Sequence, residues 1–307
     1  MEQGFDAAQD ALNLYKSQQK PRNMEALIYI VAHRSNEQRQ RIKQAYSSQF
    51  QREIQDDFRQ NLSGNFQEAM VSLFFTPIDY DCYQLYKAMK GLGTNEDTLI
   101  EILATRSNER INQLKQYYPN LYKKDLVQQV RSDTSGFFRS ILEALLQANR
   151  SDNTNPNEQE CNIYVQKLYQ DQKEKKEILQ NTFIEIFTKR SREELAMIAR
   201  LYFQWYKKTL FELVESLFSG DAKRVLKAIV YALLSPSEYF AYRINKAVKG
   251  LGTNDTILIR VLITRDEIDI ERIKKYYLQL YKKSLYDTVK SDVSGDYQKL
   301  LLELIGN

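Results

Sequence analysis

Laid over itself with an offset of 159 residues (236 − 77), this chain of 307 residues repeats without a gap: Pro77 falls on Pro236, Gly93 on Gly252, Arg106 on Arg265, Asp133 on Asp292 and Gly136 on Gly295. LYKKDLVQQVRSDTSG in the first copy meets LYKKSLYDTVKSDVSG in the second, which is duplication and not chance. A period of this kind constrains the fold more than any single motif. Each copy must form one supersecondary unit and bury its apolar face against its neighbours. An offset of 72 places Arg34, Ser35 and Asn36 under Arg106, Ser107 and Asn108, and Gly64 under Gly136. An offset of 84 places Arg190 and Ser191 under Arg106 and Ser107, Gly220 under Gly136, and the WYKK that begins at Trp205 under LYKK. The expected organisation is a short tail (1–5), repeat 1 (6–76), repeat 2 (77–147), a linker (148–162), repeat 3 (163–235) and repeat 4 (236–307).

Within a repeat the apolar period is helical. Leu99, Ile102, Leu103 and Arg106 share one face, as do Leu258, Val261, Leu262 and Arg265, the three-to-four spacing of a buried stripe. Breaks between helices carry capping signals: Thr94 and Thr253 after glycines, and the boxes Ser35 to Gln38 and Ser191 to Glu194. Pro77 and Pro236 suit first helical turns. About five short helices per repeat follow, with no strand signal. The polar stretch from Gln147 to Asn162 is expected to split the array into halves.

Composition closes off several function classes. The longest uncharged apolar run, near Ala228 to Leu234, is far below the roughly 20 residues of a membrane helix. The opening MEQGFDAAQD is acidic and has no apolar h-region, so no secretory signal is expected and a cytoplasmic location is the default. Cys82 and Cys161 form no CxxC pair, which argues against a disulfide framework or a zinc site. The single histidine, His33, has no nucleophile at a suggestive spacing and reads as a helix-end or core residue, so no enzyme is expected. The 21 tyrosines read as helix-packing residues, and with a formal charge of only +4 there is no basic stripe for nucleic acid.

The tetrapeptide GLGT occurs at Gly91 to Thr94 and at Gly250 to Thr253. Each copy is followed by an aspartate 40 residues past its second glycine (133 − 93 and 292 − 252). The loop lacks the GK[ST] of a phosphate loop and the third glycine of a dinucleotide fingerprint. DVSGDYQ lacks the alternating carboxylates of an EF-hand. Taken singly, GLGT is a tight helix connection. Two copies with aspartates in register point instead to calcium. Glycines at positive φ can turn successive carbonyls to one side, so Met89, Gly91 and Gly93 with Asp133, and Val248, Gly250 and Gly252 with Asp292, offer part of the six to eight hard oxygens that calcium takes. One carboxylate against a divalent ion leaves about one positive charge and vacant positions, suited to phospholipid headgroup oxygens.

KAMKGLGTNEDTLIEILATRSNERI and KAVKGLGTNDTILIRVLITRDEIDIERI resemble the endonexin-type repeat of the annexins. The four-repeat order with its longer central linker extends that resemblance over nearly the whole chain, and the divergence of repeats 1 and 3 makes it similar to the alpha-giardins of protists. The resemblance implies an all-α array of four five-helix repeats forming a slightly curved disc. Its convex face would bind acidic phospholipid through calcium, at the carbonyls above with Asp133 and Asp292. It also implies a peripheral protein at the inner face of the plasma membrane, monomeric in solution and able to self-assemble on membranes. A cytoskeletal or glycosaminoglycan partner is a further expectation. The alternative reading is a cytoskeleton-associated helical scaffold in which calcium and lipid are secondary.

Repeats 1 and 3 depart from the pattern. Repeat 1 has Ser17 to Arg22 in place of Met89 to Thr94 and Asn61 in place of Asp133; repeat 3 has Lys173 to Ile178 and Leu217. No calcium ligands are carried onto them. Their basic residues, Lys20, Arg22, Lys173, Lys175 and Lys176, together with Lys90 and Lys249 beside the GLGT loops, are candidate membrane contacts. Arg34, Arg106, Arg190 and Arg265 recur once per repeat and are expected to donate to helix-end carbonyls. Asp81, Glu101, Arg260 and Asp269 match charges that line the central passage of annexins, with an interdomain salt-bridge network as the plainer reading.

Overall fold

A computed structural model describes the chain except for Met1–Gly4, Leu251 and Asn307. Most of the expected tail, and the middle of the second GLGT, therefore lie outside the described residues. Among those described there are twenty α-helices, one short 3-10 turn and no strand. Repeat 1 contains α1 (Ala7–Ser17), α2 (Met24–Ala32), α3 (Asn36–Phe50), α4 (Ile54–Asn61) and α5 (Gly64–Leu73). Repeat 2 contains α6 (Pro77–Ala88), α7 (Glu96–Thr105), α8 (Asn108–Tyr122), α9 (Leu126–Asp133) and α10 (Gly136–Leu146). Repeat 3 contains α11 (Glu158–Gln170), the 3-10 turn (Asp171–Lys173), α12 (Lys176–Lys189), α13 (Arg192–Tyr206), α14 (Leu210–Leu217) and α15 (Gly220–Leu234). Repeat 4 contains α16 (Pro236–Val248), α17 (Asp255–Arg265), α18 (Ile270–Tyr281), α19 (Leu285–Asp292) and α20 (Gly295–Ile305).

The capping signals are realised with one exception. Both boxes form, Ser35 with Gln38 and Ser191 with Glu194, and each satisfies two otherwise orphaned amides. Pro77 and Pro236 open α6 and α16, where a missing N–H costs nothing. Thr94 and Thr253, however, are not the caps of α7 and α17. Asn95 and Asn254 take that position and accept from the amides of Thr98 and Ile257 at 3.1 and 3.2 Å. Their carboxamide oxygens take those amides, and the threonine hydroxyls go to another partner.

The helices cluster into two compact units, Met1–Tyr80 with Phe240–Asn307 and Asp81–Tyr239. The first contains repeats 1 and 4, the second repeats 2 and 3. The linker therefore does not divide the molecule, contrary to the expectation from its polarity. It runs within the second unit, where the Arg150 guanidinium donates to the carbonyls of Arg190 and Phe187 at 2.7 and 2.8 Å, and the amide of Ser151 to Lys189 O at 2.8 Å. Burial lowers the pKa of Arg150 to about 10. Arg150 and the Ser151 amide thus tie the linker to repeat 3 backbone, while most of its other polar residues are exposed.

Repeats 1, 2 and 3 each hold a stacked aromatic pair between their first and third helices, with centroids 4.1 Å apart: Tyr15 on Phe50, Tyr86 on Tyr122 and Tyr169 on Tyr206. In repeat 4 the first-helix position is Asn245, whose amide oxygen faces the Tyr277 hydroxyl at 3.5 Å. These are core-edge packing contacts, as the tyrosine count suggests. Cys82 and Cys161 are buried and form no disulfide. His33 caps α2, with Nδ1 2.9 Å from Tyr29 O, and is the helix-end residue expected.

The recurring arginines chiefly meet carboxylates, and of the helix-end carbonyls expected Arg34 reaches one, His33 O at 3.2 Å. Arg106 forks onto Asp81 at 2.7 and 2.8 Å, Arg34 onto Asp10 at 2.6 and 3.3 Å, and Arg265 meets Asp269 at 2.7 Å. Arg190 lies 4.0 Å from Glu194 and over the ring of Tyr164. A planar fork gains more from a carboxylate than from one carbonyl. Asp81 and Asp269 are thus engaged within their own repeats, while Glu101 and Arg260 are buried in α7 and α17.

Candidate metal centre

Each GLGT is a loop between two helices held at both ends. In repeat 2 the amide of Asn95 donates to Ala88 O at 2.8 Å, and in repeat 4 that of Asn254 donates to Ala247 O at 2.7 Å. Between these clamps Gly91 and Gly93 have φ of +101° and +85°, and Gly250 and Gly252 of +134° and +82°. Those conformations are strained for any residue with a Cβ. No atom lies within 4 Å of where a Cβ would stand at these four positions, so dihedral preference selects glycine there, not crowding. The loop glycines are exposed, as a loop open to an ion from solution requires. Met89 is buried, and its carbonyl lies 3.5 Å from Gln129 Nε2, a weak contact.

The threonine displaced from capping joins the loop to its distant aspartate. Thr94 Oγ1 donates to Asp133 O at 3.0 Å; Thr253 Oγ1 reaches Asp292 O at 3.4 Å and also donates to the Asp292 carboxylate. The two halves of each candidate site, 40 residues apart in sequence, are brought together. The two aspartates then differ. Asp292 Oδ2 is engaged by Thr253, whereas Asp133 Oδ2 is buried and has no hydrogen-bond partner. A buried carboxylate oxygen without a donor is costly, and a cation is its natural counterpart. Among the described residues no group of three or more His, Cys, Asp or Glu gathers to hold a metal. Any ion here would be held mainly by carbonyls, the hard neutral donors that suit calcium and do not suit zinc.

The degenerate loops are built differently. In repeat 1 the Arg22 guanidinium points at Asn61 Oδ1, 3.4 Å away, and Asn61 Nδ2 donates to Gln18 Oε1 at 3.4 Å. In repeat 3 the loop is the 3-10 turn, with Lys173 over the Tyr169 ring and Thr182 donating to Asp171. Lys20, Arg22, Lys90, Lys173, Lys175, Lys176 and Lys249 are all exposed. Two features escape sequence reasoning: the threonine bridge, because capping is the commoner use of that residue, and Leu92. This leucine stands fully exposed, with a relative accessibility of 108%, at the tip of an otherwise polar loop. No helix among the described residues is long and apolar enough to cross a membrane.

The family model described as Annexin matches residues 9–73, 80–145, 164–229 and 239–304. Annexin A7 of Homo sapiens is 38% identical over 303 residues, 98% of this chain, and the chain spans 62% of that protein's length. Annexin A13 of Homo sapiens is 37% identical over 304 residues, covering 99% of this chain and 96% of the relative. The structure of the K16A mutant of annexin A8 superposes with a TM-score of 0.96 at 32% identity, covering 100% of this chain and 97% of that one. A calcium-bound annexin (Sm)1 gives 0.88 at 32% identity, covering 100% and 92%. A calcium-bound alpha-14 giardin gives 0.85 at 20% identity, covering 98% of both chains, and shares the fold.

Proposed function

The chain belongs to the annexin family, and from that premise we propose that it is a peripheral protein that docks on acidic phospholipid when calcium is present. The observation that carries this reading is the buried, partnerless Oδ2 of Asp133 beside a loop of exposed glycines at positive φ. The calcium-bound state of annexin (Sm)1 supports the choice of ion.

Calcium supplies an acceptor for headgroup oxygens. The chain's residues hold it and leave it open. Gly91 and Gly93 with Asp133, and Gly250 and Gly252 with Asp292, provide the carbonyls and one carboxylate per site, with Met89 and Val248 as the remaining carbonyls. Thr94 and Thr253 set the spacing between loop and aspartate. Leu92 enters the interfacial layer and contributes up to about 1.5–3 kcal/mol if fully buried there. The exposed lysines and Arg22 add direct attraction of roughly 1 kcal/mol each near an anionic surface. Cytoplasmic placement at the inner face of the plasma membrane accords with this chemistry.

Sedimentation with phosphatidylserine vesicles tests the reading. The parent is expected to pellet with calcium and to be released by chelator, while the Asp133→Ala, Asp292→Ala double variant stays in the supernatant at the same calcium. A double variant that pellets like the parent contradicts the assignment.

A further inference from the structure

Helix α15 of repeat 3 packs along α7 of repeat 2, and both lie in one compact unit. The seam brings a basic residue of repeat 3 to the helix that leaves the first GLGT loop. Arg224, on α15, donates through Nη2 to Asp97 Oδ1 at 2.5 Å and through Nη1 to Asp221, three residues earlier on its own helix. One planar guanidinium thus bridges two carboxylates, and the nearer one aims it at the other.

Asp97 is the second residue of α7, two past the N-cap Asn95. The Asn95 amide clamps the loop to Ala88 O at 2.8 Å and its side chain caps α7, while Thr94 donates to Asp133 O at 3.0 Å. The exit of the loop, the first turn of α7 and the link to the distant aspartate are therefore concentrated in residues 94–97. A first turn that frays takes these contacts with it, because its amides have no partners inside the helix. Arg224 holds that turn from outside the repeat. The same end of α15 borders the site, since Glu96, Asp133, Asp221 and Ala222 line one cavity of ≈ 410 Å³.

We propose that Arg224 is a positioning residue for calcium at repeat 2: through Asp97 it fixes the exit of the loop at the spacing from Asp133 that the ion needs. Repeat 3, which has no glycine loop of its own, serves metal binding as the brace of its neighbour's loop. The inference rests on the calcium reading above and adds the dependence of one site on a side chain of the next repeat.

Repeat 4 provides the comparison. The offset of 159 puts Thr256 at the place of Asp97, and the offsets of 84 and 72 put Glu68 of repeat 1 at the place of Arg224. Helices α5 and α17 pack together as α15 and α7 do, yet a threonine and a glutamate cannot form this ion pair. The second GLGT loop is assigned no such brace.

The charge of Arg224 has an effect of its own that opposes the brace. Its partner Asp221 lines the cavity that holds Asp133, so deleting the arginine makes those surroundings more negative and by itself strengthens calcium, whereas deleting Asp97 weakens it. A field alone gives the two deletions opposite signs. A brace gives them the same sign.

The test uses the full chain carrying Asp292→Asn, so that repeat 2 alone titrates, with calcium binding measured by calorimetry. Arg224→Gln and Asp97→Asn are each expected to weaken calcium by about 2- to 5-fold, the scale of a partly exposed ion pair. The variant with both changes should lose no more than the more affected single one, and Arg224→Lys should restore part of the affinity. In an Asp133→Asn chain, where repeat 4 alone titrates, the same substitutions should leave calcium affinity unchanged. Opposite signs for the two single variants, additive losses, equal losses at both repeats or no loss at repeat 2 each overturn the brace and leave the calcium site standing. Calcium binding that Asp133→Asn does not reduce overturns the calcium reading, and the brace with it.

Discussion

Repeats 1 and 2 build the same frame around opposite solutions. Both set an asparagine at the N-cap of the second helix, Asn23 and Asn95, and both stack an aromatic pair between first and third helices. In repeat 2 the loop has glycines at positive φ and a carboxylate oxygen that no protein group satisfies. In repeat 1 the corresponding loop has no glycine, and the position of the carboxylate is taken by Asn61, met by Arg22. The difference teaches that the frame does not make the metal site. On the proposed reading one loop receives a cation from solution, and the other has one of its own in Arg22.

The largest effect expected of that contrast comes from Asp133→Asn. It removes the one charged ligand of repeat 2 and should weaken calcium there by more than the roughly 10- to 100-fold that losing a supporting contact costs, read by calorimetry with repeat 4 silenced through Asp292→Asn. Next is Gly93→Ala. With φ at +85° and open space around the new methyl, the cost is about 1–2 kcal/mol of backbone preference, and calcium affinity should fall several-fold while the far-ultraviolet dichroism is unchanged.

A smaller effect separates the two GLGT sites themselves. Thr253→Val deletes a hydrogen bond to the Asp292 carboxylate, and Thr94→Val one to the Asp133 carbonyl only. The first should cost repeat 4 on the order of 1 kcal/mol in calcium binding, and the second less at repeat 2. The smallest change is expected of Asn61→Asp. A carboxylate at that position would pair with Arg22 and still lack glycine carbonyls, so the number of calcium ions bound should not rise, and stability should increase by about 0.2–1 kcal/mol. A third calcium-binding loop created by this single change would break the comparison.

The helical class, the four-repeat order and the capping boxes were legible because each rests on local periodicity or on short-range hydrogen bonds. So was the pairing of each loop with its aspartate, through equal spacing in two copies. Most of what sequence misassigned depended on tertiary partners. Thr94 and Thr253 read as caps because the local rule names them, and only the approach of α9 and α19 gives their hydroxyls another acceptor. The linker read as a divider because its residues are polar, although Arg150 spends that polarity on backbone carbonyls of repeat 3. For Arg34 and Arg106 the carboxylates of Asp10 and Asp81 lie 24 and 25 residues away, beyond any local rule, whereas Asp269 and Glu194 stand four residues from Arg265 and Arg190 and were within reach of local helical spacing.

The most direct test of the account is the number of calcium ions bound per chain on phosphatidylserine vesicles, counted by equilibrium dialysis at a fixed calcium concentration. The count is predicted to fall by one in Asp133→Asn, by one in Asp292→Asn and by two in the double variant. A double variant that binds as many ions as the parent would contradict it.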